Sequence, residues 1–188
     1  MLKSLTGFFV GSVSATCIAT GVSAVVAPHA SAAECAGVPA TLVGTPDDDV
    51  LSGFTYPDQQ DSIVGGDGSD SLNGFGMNDY LCGNKGRDII QGEGGNDTLR
   101  GAEGCDGLVG GTGRDTVAGN DHNDWNGYND NTCSFGFVAG QGGDDTVLGG
   151  GGIDYLDGGG GVDSLQGGAG YGDYCVNGET NTGCEYFG

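Results

Sequence analysis

Basic residues are almost missing: Lys and Arg together number 5 against 26 Asp and Glu, a formal charge of -21 at pH 7 on 188 residues. Nucleic acid and anionic membranes are both recognised through basic footprints, so this deficit argues against either as a partner and in favour of cations. Hydrophobic residues are also scarce, at 36% with 8% aromatic, which leaves too little for a conventional layered core. Histidine occurs only at His29 and His122, and His29 falls in an N-terminal stretch expected to be removed. No Ser/His/Asp arrangement can then be assembled, and no nucleophile-elbow pattern is present. There is no C-x-x-C pair, which removes the common zinc spacing. Glycine, by contrast, is abundant, at 43 residues. An acidic, aromatic-poor chain reads as disordered unless its residues keep a register.

They do keep one. From Gly65 to Arg100 the chain reads GGDGSDSLN, GFGMNDYLC, GNKGRDIIQ and GEGGNDTLR, each with glycine at position one, aspartate at position six and an apolar residue at position eight. Position six recurs as Asp70, Asp79, Asp88, Asp97, Asp106, Asp115 and Asp124, and position eight as Leu72, Leu81, Ile90, Leu99, Leu108 and Val117. Upstream, GTPDDDVLS is a degenerate first repeat with Asp49 and Leu51 in these places. The unit from Gly53 to Val64 carries three extra residues but ends on Asp61 and Ile63. Downstream, Asn126 stands where an apolar residue is expected, and 127–139 lacks the motif. The pattern resumes at Gly140 and brings Asp145, Asp154 and Asp163. GGAGYGDYC then slips by one residue.

Residues 1–32 read as a secretory signal: Lys3 supplies the positive start, Leu5 to Val26 is small, apolar and uncharged, and Ala30-Ser31-Ala32 supplies a small-residue cleavage pattern. No basic stop-transfer flank follows, so membrane insertion is not expected and a secreted, extracellular protein is. The remaining organisation is an N-terminal cap at 33–43, repeats over 44–175 interrupted at 127–139, and a closing cap at 176–188. Six cysteines remain after signal removal, and an even number in an exported chain favours disulfides. Each of the pairs Cys35 with Cys82, Cys105 with Cys133 and Cys175 with Cys184 borders a cap or an interruption, so local pairing is expected.

A segment such as Ser71-Leu72-Asn73 is too short to stand alone, but Leu72 can point inward while its neighbours face out. Glycines in the turn allow left-handed backbone. Two nonapeptides then make one coil of strand, turn, strand, turn, and coils stack in an all-β, parallel β-roll. Asp70, Asp88, Asp106 and Asp124 are expected along one edge and Asp79, Asp97 and Asp115 along the other. The first edge is expected to pass across the break to Asp145 and Asp163, and the second to lose its aspartate between Asp115 and Asp154. Carboxylates one strand spacing apart, ~4.8 Å, repel by roughly 1 kcal/mol per pair in water and by more in protein. Such a roll needs counter-ions. Calcium takes six to eight oxygens in flexible geometry, whereas magnesium demands a strict octahedron and keeps its water, so calcium is the ion expected.

The nonapeptides resemble the haemolysin-type, or RTX, calcium-binding repeat GGxGxDxUx. The Cys35 region with ATLVGTPDDDVLSG and the DYCVNGETNTGCE ending also look like small exported calcium-binding repeat proteins of actinobacteria. The RTX resemblance implies several calcium ions, each between loops of successive coils and bridging pairs such as Asp70 with Asp88 and Asp79 with Asp97. Roughly eight to ten ions follow if each stacked loop pair holds one. The expected metal residues are Asp49, Asp61, Asp124 and the other position-six aspartates named above. The turn glycines join them: Gly65, Gly66 and Gly68; Gly83 and Gly86; Gly92 and Gly95; Gly149 and Gly152; Gly158 and Gly161.

No catalytic residue and no organic cofactor are expected, and the function read here is a calcium-stabilised binding or structural protein. His122, with Asp124 nearby, replaces a turn glycine and reads as a turn residue. Trp125, Tyr80 and Tyr155 fall at position seven, facing outward, and raise the alternative of a calcium-dependent carbohydrate or cell-surface adhesion module. A second alternative is an accessory module of an extracellular enzyme, since RTX repeats often follow one. Paired carboxylates suit glycosidases by residue type, but periodic acids on a thin roll offer no cleft.

Overall fold

The computed structural model describes residues 34–54, 59–121, 137–170 and 172–187, and every element among them is a strand. His122, Asp124, Trp125, Cys133 and the expected signal sequence lie outside the described residues. β1 (Glu34–Cys35) and β2 (Val38–Pro39) form an antiparallel pair. All later strands belong to two parallel sheets of eight. The first sheet stacks β3 (Leu42–Val43), β5 (Ser62–Asp67), β7 (Tyr80–Gly86), β9 (Thr98–Gly104), β11 (Thr116–Asp121), β13 (Thr146–Gly152), β15 (Ser164–Gly170) and β17 (Thr180–Thr182). The second stacks β4 (Val50–Ser52), β6 (Ser71–Asn73), β8 (Ile89–Gly94), β10 (Gly107–Thr112), β12 (Val138–Gly142), β14 (Tyr155–Gly160), β16 (Tyr174–Val176) and β18 (Tyr186–Phe187). Successive strands alternate between the sheets, so the chain winds as a β-solenoid in which each coil gives one strand to each sheet.

The period-two alternation of a strand explains the packing. In β6 only Leu72 is buried, with Ser71 and Asn73 half-buried beside it, and in β4 only Leu51 is buried. These position-eight side chains, from Leu42 through Leu165 to Cys175, form one continuous apolar column between the sheets. Burying one Leu or Ile is worth about 1.5–3 kcal/mol, so the core is one side chain deep per strand. The rest of the cohesion comes from coil-to-coil hydrogen bonds.

Most coils advance by 18 residues, as in the contacts of Asp61 with Asp79 and of Asp70 with Asp88. The three extra residues before Val64 lengthen the first step to 21. The pairing expected across the break, with Asp145 and Asp163 continuing the edge of Asp70, is not the one formed. Leu108 pairs with Val138 and Val117 with Val147, a step of 30 residues. The physical reason is the core column. The residue 18 beyond Leu108 is Asn126, which is polar, and Val138 takes the buried place instead. β12 therefore begins inside the stretch read as lacking the motif.

The N-terminal hairpin covers the outer face of the first sheet. Cys35 is fully buried against Val64 and Cys82, with Ala40 and Tyr80 packed beside them, and a Cys35–Cys82 disulfide fixes it there. A second disulfide joins Cys175 to Cys184. Cys105 is also disulfide-bonded, and its expected partner, Cys133, lies outside the described residues.

Candidate metal centre

Each position-six aspartate sits just before a strand, at the corner where the turn enters the sheet. The coil register gathers these residues into two columns. Asp61, Asp79, Asp97, Asp115, Asp145 and Asp163 precede strands of the first sheet, and Asp49, Asp70, Asp88, Asp106, Asp154 and Asp173 precede strands of the second. All are buried, at 4% exposure or less. The expectation is thus corrected in its second half: Asp145 and Asp163 continue the column of Asp115, and the column of Asp106 resumes at Asp154. Asp173 was not among the expected ligands, because the one-residue slip before it breaks the nonapeptide count. The slip itself was the available signal.

From the second coil onward, one carboxylate oxygen of the column aspartates is used to hold the stack, whereas Asp49 and Asp61 accept within their own turns, from Thr45 N–H and Phe54 N–H. The backbone N–H of Asp61 donates to Asp79 Oδ1, Asp79 to Asp97 and Asp97 to Asp115, each at 2.8 Å. Across the long step, Asp115 N–H donates to Asp145 Oδ1, also at 2.8 Å. In the second column, Asp70 N–H donates to Asp88 Oδ1 at 2.8 Å, Asp88 to Asp106 at 2.9 Å and Asp154 to Asp173 at 3.0 Å. The carbonyls of the same residues accept from the next coil, as Asp79 does from Thr98 N–H at 2.8 Å. Position six is therefore pinned by main chain and side chain together.

The other oxygen, Oδ2, is different. In Asp70, Asp79, Asp88, Asp97, Asp115, Asp145, Asp163 and Asp173 it is buried and accepts no hydrogen bond. It lies against the Cα of the position-one glycine of its own repeat, and at Gly65, Gly74, Gly92, Gly110, Gly140, Gly158 and Gly167 a carbonyl of the next coil is beside it. A methyl group added at Gly65 would run into both Asp70 Oδ2 and the Gly83 carbonyl, and one at Gly92 into Asp97 Oδ2 and the Gly110 carbonyl. Two acceptors thus crowd the same glycine Cα, and the carboxylate oxygen has no donor. A buried acceptor left unmade costs about 1–3 kcal/mol, and more when charged, so this arrangement calls for a proton or a cation.

Electrostatics agree with the geometry. Burial first, and then the neighbouring carboxylates of the same column, push Asp88 and Asp97 up to about 7, against an opposing contribution from the backbone N–H bonds. Asp79 and Asp115 are pushed up to about 6 in the same way. Asp61, Asp70, Asp145 and Asp173 are also raised, burial being the largest cause in each.

The residues fit calcium. Among the described residues no three His, Cys, Asp or Glu side chains converge on one point, so any ion must take much of its shell from main-chain carbonyls. An all-oxygen set of carboxylates and carbonyls suits a hard cation and not a thiolate- or imidazole-seeking one. The residues that would hold it are the position-six aspartates through Oδ2 and the turn carbonyls stacked beside them. The ion would supply the positive charge that these acceptors lack.

The expected turn glycines divide by cause. Position one (Gly65, Gly83, Gly92, Gly149, Gly158) is glycine because the aspartate approaches its Cα. Position four (Gly68, Gly86, Gly95, Gly152, Gly161) has positive φ, +124° at Gly86 for example, and at Gly68, Gly86, Gly95 and Gly161 a carbonyl of the preceding coil lies against it. Position two, that of Gly66, also has positive φ but accepts Asn84, Glu93, Ala102 and Gln141 in the same conformation, so glycine is optional there. The outward aromatic strip is not assembled among the described residues. Tyr80 is on the first sheet, packed against the N-terminal hairpin, and Tyr155 is on the second. Tyr155 stacks on Tyr174 instead, with ring centroids 5.3 Å apart, so those two rings turn their faces to each other.

A parallel β-solenoid with two columns of buried, half-satisfied aspartates beside turn glycines defines a calcium-binding β-roll. The family model for the RTX calcium-binding nonapeptide repeat matches in four copies, at residues 58–89, 73–108, 106–125 and 139–173, which together span more than half of the chain. The chain belongs to the RTX calcium-binding nonapeptide repeat family, whose repeats bind Ca2+. Neither the curated proteins nor the solved structures yield a match.

Proposed function

We propose that the chain is a secreted, non-enzymatic calcium-binding β-roll whose fold is brought about by the ion, with the position-six aspartates and Asp173 as its carboxylate ligands. The observation that carries this reading is the pair of columns in which interior aspartates such as Asp79 and Asp97 spend one oxygen on coil-to-coil bonding and hold the other beside a carbonyl. Such a stack is poorly stable with its charges uncompensated, and an ion that binds only the folded state stabilises it by mass action. A structural role is supported because the acids are committed to holding the coils together. Secretion is supported by the signal-like 1–32 segment and by disulfides, which persist in oxidising compartments.

The test is a calcium titration of the signal-free protein, read by circular dichroism and sedimentation. In chelator the repeats should be largely unstructured, and calcium at about 10⁻⁴ to 10⁻³ M, the range of extracellular modules, should induce β signal and compaction. Magnesium at the same concentrations should do neither. Identical spectra with and without calcium would defeat the proposal.

A further inference from the structure

Among the described residues, the last member of each column is a glutamate. Strand pairing continues one coil beyond the last aspartates: Ser164 pairs with Thr180 and Tyr174 with Tyr186, which puts Glu179 and Glu185 at position six. Each makes the bond that an aspartate makes elsewhere. Asp163 N–H donates to Glu179 Oε2 at 2.6 Å, and Asp173 N–H donates to Glu185 Oε2 at 2.8 Å, with Gly172 N–H adding a bond to the same oxygen at 3.0 Å.

The turns leading to these glutamates are cut short. Between Gly65 and Asp70 stand four residues, but only Gly178 separates Asn177 from Glu179, and only Cys184 separates Gly183 from Glu185. The coil step falls accordingly, from 18 to 16 and 12 residues. A shortened turn lacks most of the carbonyls that a full one brings, and the extra methylene of glutamate restores the reach lost with it. Both glutamates are exposed, whereas every described position-six aspartate is buried. The Cys175–Cys184 disulfide holds the short turns in place.

We infer that Glu179 and Glu185 are metal-free stops: they satisfy the last open N–H groups of the two columns so that the roll ends without a further ion. The inference rests on the calcium reading of the columns, which the parent protein's own ion count tests separately. The experiment compares the parent with E179Q/E185Q and E179A/E185A, measuring bound calcium by native mass spectrometry and amide exchange in saturating calcium. Gln keeps the acceptor and loses the charge, so that variant should bind as many ions as the parent and keep its slow exchange. The Ala variant should bind as many ions, but the Asp163 and Asp173 amides should exchange roughly tenfold faster, the scale of losing a side-chain cap. Fewer ions in the Gln variant would make the glutamates ligands and overturn the inference, as would unchanged exchange in the Ala variant. If the Ala variant does not fold, the ion count of the Gln variant decides.

Discussion

At Asp88 one carboxylate oxygen accepts from the N–H of Asp70 while the other is buried against Gly83 with no donor. Its position near 7, like that of Asp97, lies well above the ordinary 3.8. Without calcium the folded state therefore holds more protons than the unfolded one between pH 3.8 and about 7, and its stability falls as pH rises through that window. In chelator, β signal should grow as the pH is lowered from about 8 to about 5. Calcium must displace those protons, so its midpoint should shift the other way and rise as the pH drops below about 7. Asp88→Asn, which keeps an acceptor and removes the charge, should imitate acid at neutral pH: more β signal in chelator, and a higher calcium midpoint. A chelated spectrum indifferent to both changes would contradict the burial described. Position six was legible in the sequence because its spacing is strict. Its division of labour between two oxygens was not, since that depends on which backbone N–H the neighbouring coil delivers.

The turn-and-strand unit shows where the sequence stopped being readable. Inward Leu and Ile at position eight and the pairs Cys35–Cys82 and Cys175–Cys184 follow from local pattern, and the structure has them. The register across the break does not, because a nine-residue count runs on through Asp124 without a fault in the acids. The fault is in the core, at Asn126, and burial outranks periodicity. Asp173 and Glu185 escaped for a related reason: turns of altered length hide position six from any fixed count. The unit also predicts two opposite outcomes for one substitution. Gly83→Ala drives a methyl into Asp88 Oδ2 and should destabilise the calcium-loaded protein by about 1–3 kcal/mol in urea unfolding. Gly107→Ala, in β10 with nothing near the added carbon, should stay within about 0.5 kcal/mol. Equal losses would show that position one is not the crowded corner seen here.

The whole roll is nearly one-dimensional: each coil touches the one before and the one after, so stability is close to a sum over coils and their interfaces. In such a stack chain length and height are separable, and the coil between Asp115 and Asp145 shows it, carrying 30 residues where its neighbours carry 18. Held at both ends and stretched in saturating calcium with its disulfides reduced, the molecule should yield one coil at a time. An ordinary coil of 18 residues pays out ~60 Å of extended chain, and the 30-residue coil ~100 Å. A force–extension trace should therefore contain a single long tooth among short ones, and a trace of uniform teeth would rule this out. The place of that tooth in the series would act as a bookmark, telling from a mechanical record alone which end of the roll unravels first.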